Sequence, residues 1–178
     1  MTIDVAWHDS ARAADDALAA HLGWAYGDGE ARTGRLCGRC GSAAHGRPWA
    51  TYDGRDVAVS LARSGPHLVT AVATDGAVGV DVESVAEVAA RWQPELVLAP
   101  GEVAADALEQ ARVWARKEAV LKMYGVGLAR PMTAVVLGAE AWIDLEAPDG
   151  YVAAVAWLTP QRAAAAGPSG RATRRTGP

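Results

Sequence analysis

Phenylalanine and asparagine are absent from the chain, isoleucine occurs twice, and lysine supplies only two of the 17 basic residues. The rest is rich in Ala, Gly and Arg, as a strongly GC-rich gene gives, and such a bias moves Lys to Arg wherever only charge matters. The two lysines that remain, Lys117 and Lys122, lie five residues apart. They mark positions that need a compact ammonium rather than a planar guanidinium fork. No run of 18 apolar residues occurs, which excludes a membrane-spanning helix. The N-terminal Met1-Thr-Ile-Asp-Val5 lacks the basic-then-apolar build of a signal peptide, so the expected location is the cytoplasm. Net charge is −4, and Gln161–Pro178 holds four Arg and no acid, leaving −8 on the remainder. A body this acidic excludes a general nucleic-acid binder. With 178 residues, 51% of them hydrophobic although much of that is Ala, the chain can form one compact domain or two small halves packed together.

The only cysteines form Cys37-Gly-Arg-Cys40, with His45 five residues on. A structural zinc takes four ligands and only three are local, while a redox pair normally opens a helix and this one sits among glycines. The expectation is a Gly/Arg/Cys-rich connecting loop from Tyr26 to Arg47, long for a compact domain and so functional or mobile. Strands are expected at Ile3–Trp7, Val57–Leu61, Leu68–Ala73, Ala77–Glu83, Thr133–Leu137, Ala141–Leu145 and Tyr151–Trp157. Helices are expected from Ala11 to about His21, N-capped by Ser10 and ended by Gly23, at Ser84–Trp92, and at Pro100–Tyr124, ended by Gly125. Asp75-Gly76 reads as a type I′ hairpin turn. Strand, helix and strands thus occur twice, on either side of Gly76, which divides the chain into halves 1–76 and 77–160. Residues 161–178, dominated by Ala, Gly, Pro and Arg, are expected to form a disordered tail.

The chemistry concentrates in Gly79-Val-Asp-Val-Glu83 and Trp114-Ala-Arg-Lys-Glu-Ala-Val-Leu-Lys122. At a helical period, Ala104, Ala107, Leu108, Ala111, Trp114, Ala115 and Leu121 share a stripe with Glu118 and Lys122, and Glu109, Arg112 and Arg116 lie opposite. Charges on an apolar stripe cost several kcal/mol unless paired or ligated. On the strand, Val78, Val80 and Val82 face one way while Asp81 and Glu83 face the other, about 6.5–7 Å apart at the backbone. Two strand carboxylates with Glu118 as a third, and no His or Cys, favour Mg²⁺ or Mn²⁺ over zinc. Each feature alone has a plainer reading, a solvated polar face or an i,i+4 ion pair.

Together the two motifs, followed by Gly125-Val-Gly127, resemble the signature pair of the 4′-phosphopantetheinyl transferase superfamily, over roughly Val57 to Val136. The resemblance implies an α+β fold of two pseudo-symmetric halves, each a helix on a small antiparallel sheet, with the site in the cleft between them. It is to the longer, surfactin-type class, with a shortened N-terminal part, and implies a monomer. The implied activity moves the phosphopantetheine arm of coenzyme A onto a serine of an acyl or peptidyl carrier protein and releases 3′,5′-ADP. Asp81, Glu83 and Glu118 match the Mg²⁺ positions, Glu118 also the general base, and Lys122 the lysine that steadies the pyrophosphate and the departing ADP. Lys117 is placed with Lys122 among the coenzyme contacts. His45-Gly-Arg-Pro48 is similar to a turn that would make Arg47 a phosphate contact, and Arg12 matches an arginine that reaches the 3′-phosphate. Where relatives carry a Ser-His-Ser core, Ser60-Leu-Ala-Arg-Ser64 has Ala62 and Arg63, and Arg63 could grip phosphate in place of the lost contact. The other readings are a catalytically weak coenzyme A or nucleotide-binding regulatory module and a Mg²⁺-dependent phosphohydrolase.

Overall fold

Short runs of Val and Ala alternating with polar residues give the strands, which assemble into two antiparallel sheets. In a computed structural model that describes residues 1–165, β1 (Ile3–Asp9), β2 (Ala31–Leu36), β3 (Arg47–Tyr52), β4 (Arg55–Ser64) and β5 (His67–Ala73) form the first, in the order β1-β5-β4-β3-β2. The second contains β6 (Ala77–Ser84), β7 (Trp142–Leu145) and β8 (Tyr151–Leu158) in the order β6-β8-β7. Helix α1 (Ala14–Tyr26) packs Leu18 and Leu22 on Ala50, Val59 and Val72 of the first sheet. Helix α4 (Ala107–Tyr124) lies on the second, with Ala111, Ala115, Ala119 and Met123 against Ala154, Ala156 and Leu158. The inner faces meet through Ala62, Val69, Ala71 and Ala73 on one side and Val78, Val80, Val82 and Val155 on the other. The layers therefore run helix, sheet, sheet, helix, an α+β arrangement whose apolar faces are all covered.

Both sheets contain the same connection. In each the last strand inserts between the first strand and the one before it, as β1-β5-β4 and β6-β8-β7, with a packed helix, α1 or α4, between the first strand and that pair; the first sheet also carries β2 and β3. The sheets touch laterally where β4 runs beside β6. Ser60 Oγ accepts a hydrogen bond from the Val80 N–H at 3.0 Å and Ser64 Oγ one from the Ser84 N–H at 3.2 Å. The residue between these serines on β4, Ala62, has no acceptor to offer. Asp75-Gly76 makes a turn, with Gly76 at φ +76°, but it is not a hairpin, because β5 and β6 belong to different sheets.

Other elements depart from the sequence reading for local reasons. Ser10 does not cap α1, because its N–H bonds to Pro66 O and Asp9 holds a turn through the Ala11 N–H. The helix starts at Ala14 and runs through Gly23 to Tyr26. Strand β2, Ala31-Arg-Thr-Gly-Arg-Leu36, has no apolar alternation and exists through its backbone ladder to β3, with Trp49 lying across Gly34. The expected strand 133–137 is instead two 3₁₀ turns that follow Pro131 and bury Met132 and Val135. Helix α2 (Val85–Ala90) is shorter than the expected Ser84–Trp92 and is capped by Ser84, and α3 (Pro94–Val97) is a single turn. Helix α4 begins seven residues after Pro100, where Asp106 accepts from the Glu109 N–H at 2.9 Å. Residues Pro160–Ala165 form a short helix, α5, where the tail was expected to begin; the rest of that tail, 166–178, lies outside the described residues.

Candidate active site

The site begins at a glycine. Gly79 faces α4 so closely that a Cβ there would strike Ala119 O and Met123 N, so strand and helix touch at the backbone. Two residues on, strand period 2 returns Asp81 to that face, and then Glu83. Glu118 and Lys122, one helical turn apart, meet them from α4. The Lys122 Nζ donates to Asp81 Oδ1 at 2.5 Å. Asp81 is 3% exposed, and its Oδ2 has no hydrogen-bond partner.

Three carboxylates share this corner with one ammonium. Burial raises the Asp81 pKa, opposed by the Lys122 charge and by the N–H of Val82. Glu83 is pushed up to about 7, chiefly by burial and then by the Asp81 charge; Lys122 opposes this, Glu118 adds to it, and a hydrogen bond from Trp114 lowers it. Glu118 is raised by burial and by Asp81, again against Lys122. Desolvated carboxylates that repel each other hold protons more tightly until a further positive charge arrives. The orphaned, buried Asp81 oxygen and the all-oxygen chemistry of Asp81, Glu83 and Glu118 suit a hard divalent cation, although the three carboxylates do not converge within 4.8 Å of one another.

Lys122 also borders a cavity of about 570 Å³. Its walls come from Arg35–Arg39 at the end of β2 and beyond it, Gly46–Pro48 at the start of β3, Val59–Leu61 of β4, and Gly125–Gly127 after α4. Arg35, Arg39, Arg47 and Lys122 all line it, and no carboxylate does. Its volume is that of a ligand pocket, and the lining suits an anion with more than one charged group. Gly125 ends α4 at φ +69°, and a Cβ there would collide with the Arg47 guanidinium. The same glycine therefore caps the helix and lets Arg47 lie against its last turn.

The structure sorts the other sequence candidates. Arg47 and Lys122 line the cavity; Arg12 and Arg63 do not. Those two arginines are exposed, and Arg63 Nη2 donates to Arg12 O at 3.0 Å. Lys117 is a correction. It is fully buried on another face of α4, and its three protons go to Val97 O at 2.7 Å, Met132 O at 3.1 Å and Glu102 Oε2 at 2.5 Å. An ammonium has three donors, so none is left for a coenzyme. Lys117 ties α3 and the 3₁₀ turn at Met132 to α4.

The helix stripe is corrected too. Of the expected residues Ala111, Ala115 and Leu121 are buried, Ala107 and Leu108 are exposed and Ala104 precedes the helix; Val113, Ala119, Val120 and Met123 are buried besides, and Arg116 pairs with Asp144 of β7 while covering the Trp142 ring. Arg35 and Arg39 were missed because the segment that holds them read as a loop; their only signal was its richness in arginine. Cys37, Cys40 and His45, read as part of that connecting loop, have ligand atoms that all lie within 4.8 Å of one another.

Residues 77–161 match a family model described as the 4′-phosphopantetheinyl transferase superfamily. The match spans the second sheet and α4 and so includes Asp81, Glu83, Glu118 and Lys122, while Arg12, Arg47 and Arg63 precede it. No curated protein matches the chain.

Proposed function

We propose, from the match of residues 77–161 to the 4′-phosphopantetheinyl transferase superfamily, that this protein moves the 4′-phosphopantetheine arm of coenzyme A to a serine of an acyl or peptidyl carrier protein. The observation that carries the reading is a junction. A cavity walled by cations and a corner of three carboxylates meet at one residue, Lys122. A pyrophosphate in the cavity would have its charge answered by Arg35, Arg39 and Arg47 and its reacting end beside Asp81, Glu83 and Glu118.

In the proposed reaction the carrier serine oxygen bonds to the pantetheine-bearing phosphorus, the pyrophosphate P–O bond breaks, and the bridging oxygen leaves with 3′,5′-ADP. Glu118, once ionised, takes the serine proton as general base. Lys122 places its ammonium against the charge that grows on the departing phosphate, a role suited to a point charge. Mg²⁺, or Mn²⁺ in its place, held by Asp81, Glu83 and Glu118, would neutralise pyrophosphate charge. Arg12 and Arg63, off the cavity, remain candidates only for the far end of the coenzyme. With both strand–helix–strand units in one chain, we read the protein as a monomer of the longer, surfactin-type class that works in the cytoplasm.

The test is intact-mass analysis of an apo carrier protein incubated with this protein, coenzyme A and Mg²⁺. The expected result is a gain of one phosphopantetheine arm, absent with Glu118→Gln. Coenzyme A binding without any gain on a panel of carrier proteins would replace this reading with that of a regulatory binding module.

A further inference from the structure

The donors that converge most tightly on one point lie away from the carboxylate corner. Between β2 and β3 the chain folds back on itself. The Gly41 N–H donates to Cys37 O at 2.8 Å and the Cys37 N–H to Ser42 O at 2.9 Å, with Gly41 at φ +72°. This tight turn holds Cys37 and Cys40 side by side. Gly46, at φ +111°, sits so close to Leu36 O and Cys37 N that a Cβ would collide with both, and this brings the returning strand and its His45 over the turn. Backbone hydrogen bonds and two glycines thus place all three side chains.

We propose that Cys37, Cys40 and His45 bind one zinc ion, with water as its fourth ligand. Two thiolates and an imidazole form a donor set for zinc and a poor one for Mg²⁺. Cys40 Sγ and His45 Nε2 are 3.4 Å apart. Ligands at ordinary Zn–S and Zn–N lengths on a tetrahedron are about 3.5 Å apart. The remaining separations, all within 4.8 Å, need to close by about 1 Å, within the reach of χ1 rotations on a surface turn. Cys40 and His45 are exposed, which leaves the fourth position open to solvent.

The site would also shape the cavity. Cys37 lines it, and Arg35, Arg39 and Arg47 leave the two arms of the same turn. A zinc ion joining residue 37 to residue 45 would fix those arms and the arginines with them. The proposal stands on the turn's own geometry and does not depend on the transfer reaction.

The test uses the full 178-residue chain, free of any affinity tag, dialysed after exposure to zinc. Elemental analysis should find one zinc per chain. Cys37→Ser, Cys40→Ser and His45→Ala should each bring it to the blank, and His45→Cys should restore it as a third thiolate. Cobalt substituted for zinc should give intense tetrahedral d–d and thiolate charge-transfer bands, lost in Cys37→Ser. A parent protein without zinc, equal zinc in parent and His45→Ala, or an intact mass lower by two hydrogens, which marks a Cys37–Cys40 disulfide, would each overturn the proposal.

Discussion

Glu83 holds a charge that the fold disfavours, so removing that charge should stabilise the protein. In the unfolded chain a glutamate releases its proton near 4.5, whereas Glu83 in the folded protein does so at about 7. Below the lower value both states hold the proton and no penalty arises. Above the higher value both have lost it, and the folded state carries the full cost of the buried charge. Stability should fall as pH rises from about 4.5 to about 7 and then level off, and Asp81 and Glu118 push in the same direction. The gap between the two values corresponds to about 3 kcal/mol, which partial exposure to solvent cuts to about 1–2 kcal/mol. Glu83→Gln keeps the shape and removes the charge. In Mg²⁺-free buffer at pH 8 it should be about 1–2 kcal/mol more stable than the parent, and near pH 5 the two should converge. Urea denaturation followed by tryptophan fluorescence measures both. Added Mg²⁺ should then stabilise the parent at pH 8 more than the variant, since the variant has lost a ligand. Equal stability of Glu83→Gln and parent at pH 8 without Mg²⁺ would refute the account of this corner as one short of positive charge.

Lys117→Met should cost about 3–5 kcal/mol in denaturant melts, because it removes the counter-ion of Glu102 and a donor to two buried carbonyls, and it should leave the coenzyme A KM unchanged. Gly79→Ala should lower Tm, at about 1–3 kcal/mol, and reduce turnover as well, since the methyl must push α4 away from β6 and part the strand carboxylates from Glu118. Ser60→Ala removes the acceptor of the buried Val80 N–H and should destabilise by about 1–3 kcal/mol in the same melts. Arg47→Ala should raise the KM for coenzyme A more than it lowers kcat, and by more than Arg63→Ala raises it, since Arg47 lines the cavity and Arg63 does not.

Residues whose role follows from spacing were legible in the sequence. Asp81 and Glu83 share a strand face and Glu118 and Lys122 a helix face by period alone, and the structure joins the two faces through the Lys122–Asp81 bond. Lys117 misled because rarity marks a need for an ammonium without saying where; the need here is two buried backbone oxygens, which no side-chain motif announces, and the half-buried Glu102 carboxylate. Strand β2 was hidden for a related reason, since Ala31–Leu36 is held by its ladder to β3 and buries little. Without that strand, Arg35 and Arg39 had no fixed place, and nothing showed that the chain folds His45 back over Cys37 and Cys40. Asp75-Gly76 predicted a turn correctly and its consequence wrongly, because a dipeptide specifies local dihedrals and not which sheet receives the next strand.

The serine contacts between β4 and β6 have a practical meaning. An outer strand with bare N–H groups is a template on which other chains can add, and natural proteins cover or interrupt such margins. Here the margin of β6 is closed by hydroxyls supplied from the other half, at Val80 and at Ser84. The segment 77–161 contains the carboxylates and Lys122, yet cut away on its own it would display that margin beside the uncovered valines Val78, Val80 and Val82. Expressed without residues 1–76, the segment that holds these motifs would therefore be expected in inclusion bodies. The motifs cannot be isolated here by trimming the chain to them.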